Sequence, residues 1–150
     1  MKDQNEPVSP DEFVLRAIPN VYYQPDLEPS VARDAFQANR TRDAVGLSVF
    51  RESCFPDPTQ APSIIANALR QNGNYYVARL AVAHLSLLGL AVTPDPQQDS
   101  PPGHALIPQL GYMEYAKNKH KAKEIQLELA KLASDPRAIV FAPATPKQQA

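Results

Sequence analysis

Tyr75-Tyr76-Val77-Ala78-Arg79-Leu80-Ala81-Val82-Ala83-His84-Leu85-Ser86-Leu87-Leu88 is the stretch on which the fold turns. It reads in two ways. One is a single helix from Tyr75 to Leu88. The other is a strand to Val82 followed by one helical turn, Ala83 to Leu88. Periodicity alone does not separate them. The residues after Leu88 favour the second. Leu87 and Leu88 lead to Gly89, where a short helix closes, and Leu90 to Thr93 then forms a strand that Pro94-Asp95-Pro96 ends.

Towards the N-terminus, Pro62 opens a helix over Ser63 to Gln71, with Ile64, Ile65, Ala68 and Leu69 on one face and Gly73 as an αL cap. Gly46 to Arg51 alternates as a strand, Leu47, Val49 and Arg51 facing one way, Ser48 and Phe50 the other. Phe13 to Ile18 is a strand ended by Pro19-Asn20, and Val21-Tyr22-Tyr23 continues it as an edge piece. Ser30 caps a short helix over Val31 to Phe36. Towards the C-terminus, Gly103 to Ile107 is a strand. Tyr112 to Ala133 is the clearest helix: Ile125, Leu129 and Leu132 recur at i, i+4 and i+7, and Leu127 widens the stripe. Ser134-Asp135-Pro136 stops it, and Arg137 to Phe141 is a last strand. The expected class is α+β: a small mixed or antiparallel sheet of short strands, two to four helices, and the long C-terminal helix packed on the sheet.

The chain has 150 residues, enough for one domain and too few for two ordinary ones. The expected organisation is a flexible tail over 1–10, one domain over 11–143 and a second tail over 144–150. With 43% hydrophobic residues a single core can be filled. The net charge of -1 gives no global basic excess to attract nucleic acid. There are 16 prolines, roughly twice the usual share, against 5 glycines. They cluster between proline-free segments, the pattern of short elements joined by stiff loops. One cysteine, Cys54, cannot form an internal disulfide, which fits a reducing compartment. The polar start leads to no apolar core of a signal peptide. Val77 to Val92, broken by Arg79, His84, Ser86 and Gly89, falls short of a membrane span. A cytoplasmic location is expected, with no membrane partner.

No phosphate-binding, dinucleotide, nucleophile-elbow or zinc signature is present. Three scattered histidines and one cysteine give no metal site, and no cofactor is expected. His104, at a strand entrance after a proline-rich loop, is the candidate general base; the bland alternative is a polar strand cap. Arg16, Arg51 and Arg79, with Arg33 in support, form an anion site if the sheet gathers them, with Ser48 or Tyr75 adding hydrogen bonds. Otherwise each is a solvated end or a salt bridge. His84 lies in an apolar context and reads as a half-buried, satisfied histidine. Lys117, Lys119, Lys121 and Lys123, bracketed by Glu114, Glu124 and Glu128, read as a solvated helix face.

Three runs occur in order: Gly46-Leu47-Ser48-Val49, then Leu88-Gly89-Leu90-Ala91-Val92-Thr93-Pro94-Asp95-Pro96, then His104-Ala105-Leu106-Ile107. They resemble small uncharacterised bacterial proteins with LSV, LGLxVxxDP and HAL-type runs. The resemblance covers about residues 46–107. It implies strands at these runs and draws attention to His104, and it brings no activity with it.

The preferred functional reading is a small accessory module that binds another protein, ahead of an enzyme and of nucleic-acid binding through the lysine-rich helix. Its candidate surface is the Tyr22-Tyr23 pair, because tyrosine offers large contact area with a polar tip. The alternative is a small enzyme or a nucleotide- or phosphate-binding domain built on His104 and the strand-borne arginines. The two readings part on one observation: whether His104 and two arginines converge on one concave pocket.

Overall fold

The computed structural model describes residues 1–143; the tail expected over 144–150 lies outside the described residues. The protein is α+β. Six antiparallel strands form one sheet in the order β4-β5-β2-β1-β3-β6. The strands are β1 (Phe13–Pro19), β2 (Leu47–Arg51), β3 (Tyr75–Ala81), β4 (Thr93–Pro94), β5 (His104–Ile107) and β6 (Ile139–Phe141). Four α-helices accompany them: α1 (Ala61–Ala68), α2 (Val82–Leu87), α3 (Tyr112–Lys117) and α4 (Lys119–Ala133).

The stretch from Tyr75 resolves as strand and then helix. All seven residues of β3 pair with β1, from Tyr75 opposite Pro19 to Ala81 opposite Phe13. Val82 N–H then donates to Glu12 O, and the chain turns into α2. Gly89 comes next with φ 79, the left-handed region that releases the chain from the helix. The strand expected over Leu90 to Thr93 is instead Thr93–Pro94, paired with Leu106 and Ala105; Leu90 turns into the core and Ala91 N–H donates to the Gln109 side chain instead of a ladder.

Alternation along the strands sorts the core onto two faces. On one face Val14, Ile18, Leu47, Val49, Ala78, Leu80, Ala105 and Ile107 are buried beneath Leu129, Ala130 and Ala133 of α4, Leu85 of α2 and Phe36. On the other, Leu15, Phe50 and Val77 meet Phe55 and the Ala61, Ile65 and Ala66 side of α1. Among the described residues the outer part of this second face, near β5, carries no helix, and there the candidate site lies.

Several local expectations are corrected. Val21-Tyr22-Tyr23 does not extend β1; Asn20–Tyr22 is a 3-10 turn, because proline at 19 ends the ladder. Arg33–Phe36 is a 3-10 turn without a side-chain cap, so Ser30 does not cap it. The helix expected from Tyr112 to Ala133 breaks at Asn118 (φ -150, ψ 79), whose side chain accepts from Lys121 N and restarts the helix as α4. The buried stripe of α4 is Ala122, Gln126, Leu129, Ala130 and Ala133; Ile125 and Leu132 flank it half-buried, and Leu127 is exposed. The stripe is thus rotated towards small residues, which let α4 approach the sheet closely. Likewise α1 buries Ile65 while Ile64 is exposed.

A further correction concerns residues 1–10. Arg51 is wholly buried and forms a two-bond ion pair with Glu12, Nε to Oε1 at 2.9 Å and Nη2 to Oε2 at 2.9 Å. Its remaining donors reach Gln4 O, Glu6 O and Pro7 O. Lys2 N–H donates to Ser53 O, and its ammonium meets Glu12. The segment expected to be a loose tail is therefore bound to β2 through one guanidinium. Among the described residues no helix is long and apolar enough to cross a membrane.

Candidate functional site

β2 and β5 pair with Ser48 opposite Leu106 and Phe50 opposite His104. Ser48 and His104 are therefore diagonal neighbours on one face, within reach of each other. Ser48 Oγ lies 2.9 Å from His104 Nε2. On the far side of the ring, His104 Nδ1 lies 2.9 Å from Asp95 O and 3.1 Å from Asp95 Oδ2. Asp95 comes directly after β4, and its N–H donates to His104 O at 2.9 Å, so the β4–β5 edge itself sets this distance.

The contacts fix the tautomer of the neutral ring. A backbone carbonyl has no proton to give, so Nδ1 carries the hydrogen and donates to Asp95. Nε2 then holds a lone pair, and Ser48 must donate its hydroxyl proton to it. The result is a hydroxyl, an imidazole base and an orienting aspartate in series. The ring is buried, with Phe50 edge-on at 5.4 Å, while Ser48 and Asp95 are half-exposed. Gly103 sets the ring's position from the backbone. Its φ is 79, and a Cβ there would come within 2.8 Å of Arg51 O. Its N–H donates to the Gln4 side chain, so the N-terminal segment also touches the site's support.

Beside Ser48 the sheet opens. β1 and β2 pair only at Val14 with Arg51 and Leu15 with Phe50. Beyond that the two strands separate, and the Arg16 side chain bridges the opening. Nη1 donates to Ser48 O at 2.8 Å; Nε and Nη2 donate to Ala35 O at 3.1 and 2.9 Å. Burial pushes the Arg16 pKa down, and the nearby Asp43 carboxylate opposes that push. A cleft of about 560 Å³ stands over this opening, lined among others by Arg16, Arg42, Ser48, Tyr75, Asp95 and His104.

Comparison with protein-family models, curated proteins and solved structures finds no match.

The arginine set expected to converge does so only in part. Arg16 reaches the cleft. Arg51 lies on the opposite face, committed to Glu12. Arg79 is paired through two bonds with Glu52, and its guanidinium stacks over Phe13 at 3.5 Å. Arg42, on the loop before β2, is the second arginine of the cleft. Arg33 donates to Gln126 on the α4 side. Tyr22 and Tyr23 are both half-buried and pack against the main core, Tyr23 against Tyr76 at 4.3 Å between ring centroids. His84 is exposed, not half-buried, because α2 turns it outward. Cys54 is buried, which pushes its thiol pKa up and away from reactivity. Among the described residues no group of three or more His, Cys, Asp or Glu could hold a metal ion.

Sequence reading found His104 but missed its partners. Ser48 stands 56 residues away from it, and Asp95 sits in a stretch that reads only as a strand stop.

Proposed function

We propose that the chain is a small enzyme whose cleft performs acyl transfer or hydrolysis, with Ser48 as nucleophile and His104 as general base. The observation that carries this reading is the Ser48–His104 contact at 2.9 Å with Asp95 behind the ring, opening on a cleft. Ser48 Oγ attacks the carbonyl carbon as its proton passes to His104 Nε2. The new Oγ–C bond replaces the bond to the leaving group, which departs with that proton. Water then repeats the sequence on the acyl-serine and restores the hydroxyl. Asp95 keeps the Nδ1–H tautomer and balances the imidazolium that forms.

The accessory-module reading depended on a tyrosine surface. With both rings of Tyr22-Tyr23 packed on the core, no observation favours it over the cleft.

The test uses a fluorophosphonate probe, which leaves a covalent adduct on an activated serine with loss of fluoride. Intact-mass and peptide analysis should find the adduct on Ser48. His104→Ala should slow labelling by about 100-fold or more, the usual size of a general-base contribution, and Asp95→Asn should slow it less. Equal labelling of wild type and a folded His104→Ala variant, or no adduct on Ser48, would overturn the proposal.

A further inference from the structure

We infer that the cleft accepts a substrate bearing an oxyanion, a carboxylate or a phosphate, seated on Arg16 and Arg42 with its reactive carbon towards Ser48. This rests on the serine reading for the orientation of the substrate, but not for the charge it carries.

The argument starts from what each arginine already holds. Arg33, Arg51, Arg79 and Arg137 each meet a carboxylate. Among the described residues Arg16, Arg40, Arg42 and Arg70 form no ion pair. For Arg40, Arg42 and Arg70, all exposed, that is unremarkable in water. Arg16 is different: it is half-buried in the opening between β1 and β2 and bonded only to two neutral carbonyls, Ala35 O and Ser48 O. A guanidinium has five N–H donors, and these contacts use three. Two remain on a side chain that lines the cleft. A half-buried cation with no carboxylate bound to it and two spare donors on a cleft is well placed to receive an anion.

The acidic residues of the cleft do not supply that anion. Asp95 is turned to His104. Asp43 accepts the Asn39 N–H at 2.7 Å and acts on Arg16 only across space. Asp99, at φ 57, is exposed at the rim. Because Arg16 Nη1 holds the carbonyl of Ser48 itself, an oxyanion on Arg16 lies beside the nucleophile. Arg42, at the rim, adds a second positive charge.

The experiment titrates a Ser48→Ala variant, which cannot turn over, with inorganic phosphate and separately with acetate, followed by ¹⁵N–¹H NMR. Saturable shifts are expected at the Arg16 Nε–H and at the Gly46 and Leu47 amides; whichever anion saturates first identifies the preferred oxyanion. Adding Arg42→Gln should weaken binding severalfold, and adding Arg16→Gln should abolish it. Arg16→Gln also removes three structural bonds, so it is read only if its spectrum is folded; Arg42→Gln, at an exposed site, decides if it is not. Shifts that chloride reproduces at equal ionic strength, or binding indifferent to both substitutions, would overturn the inference. An oxyanion that binds without any fluorophosphonate adduct removes the serine chemistry and leaves this inference standing; an adduct without oxyanion binding does the reverse.

Discussion

Replacing Glu12 with Gln should destabilise the protein at neutral pH by about 3–5 kcal/mol, the usual cost of removing one partner from a buried pair. The Glu12 carboxylate is 2% exposed and its partner Arg51 is 0% exposed, so water cannot take over the missing charge. Glutamine keeps the shape and one acceptor oxygen, but its NH2 turns a donor towards the guanidinium, and the Arg51 charge is left among neutral oxygens, its own and the carbonyls of Gln4, Glu6 and Pro7. The pH dependence leads to a similar figure. Burial pushes the Glu12 carboxyl up, but the bonds from Arg51, Ser9 N–H, Lys2 and Ser53 outweigh it and hold the pKa at about 2, against 4.5 unperturbed. That depression corresponds to about 3 kcal/mol of linkage, in line with the mutational figure.

The direction comes from the depressed pKa. The unfolded chain takes up the proton first, so the contribution is complete above pH 4.5 and is lost as pH falls towards 2. Urea unfolding of both proteins between pH 7 and about pH 2.5 checks this, a range chosen to span most of that loss. The gap between wild type and Glu12→Gln should be widest near neutral pH and should close below pH 4.5. A gap under about 1 kcal/mol at neutral pH, or one that stays constant across the acid range, would show that the pair is not a buried charge pair in solution.

Further outcomes are expected elsewhere. Leu129→Ala should cost about 2–5 kcal/mol in urea unfolding, while Leu127→Ala, exposed on the same helix, should stay within about 0.5 kcal/mol. Gly103→Ala should cost at least about 1–2 kcal/mol from its positive φ alone, and should slow fluorophosphonate labelling as its Cβ presses on the Arg51 carbonyl and displaces His104. Neutralising Lys117, Lys119, Lys121 and Lys123 together should leave the unfolding midpoint and labelling nearly unchanged, since all four side chains are exposed; a large shift in either would give this face a role.

The longer strands were legible because local alternation and proline stops describe them, whereas β4 was not: of the four residues expected, only Thr93 lies in it. Seven residues of β3 needed only a partner of matching length, and β1 supplies it. Helix faces were less legible. The Leu and Ile positions of α4 suggest one stripe, but the buried one runs through Ala122, Gln126, Ala130 and Ala133, because contact with a sheet rewards small residues as much as large ones. The arginines were least legible. Arg16, Arg51 and Arg79 all sit on strands, yet Arg51 and Arg79 meet Glu12 and Glu52, and no spacing rule forecasts partners 39 and 27 residues away.

The site depends on the place where the ladder between β1 and β2 stops. A continuous pairing would set Ala17 opposite Ser48 and would close the opening with backbone bonds. With the strands apart, the Ser48 carbonyl needs another donor, and Arg16 provides one. That substitution exchanges a neutral backbone contact for a positive charge held at the nucleophile's own peptide unit. On the other edge of β2 the ladder to β5 is intact, and it holds Ser48 against His104. The two edges of one short strand therefore do different work: one fixes the base, the other admits the charge. If the opening served only to accommodate a bulky neighbour, shortening Arg16 to leucine would let the strands close and would stabilise the protein. If it serves a ligand, the same change should leave stability no better and remove oxyanion binding, and urea unfolding beside the phosphate titration separates the two.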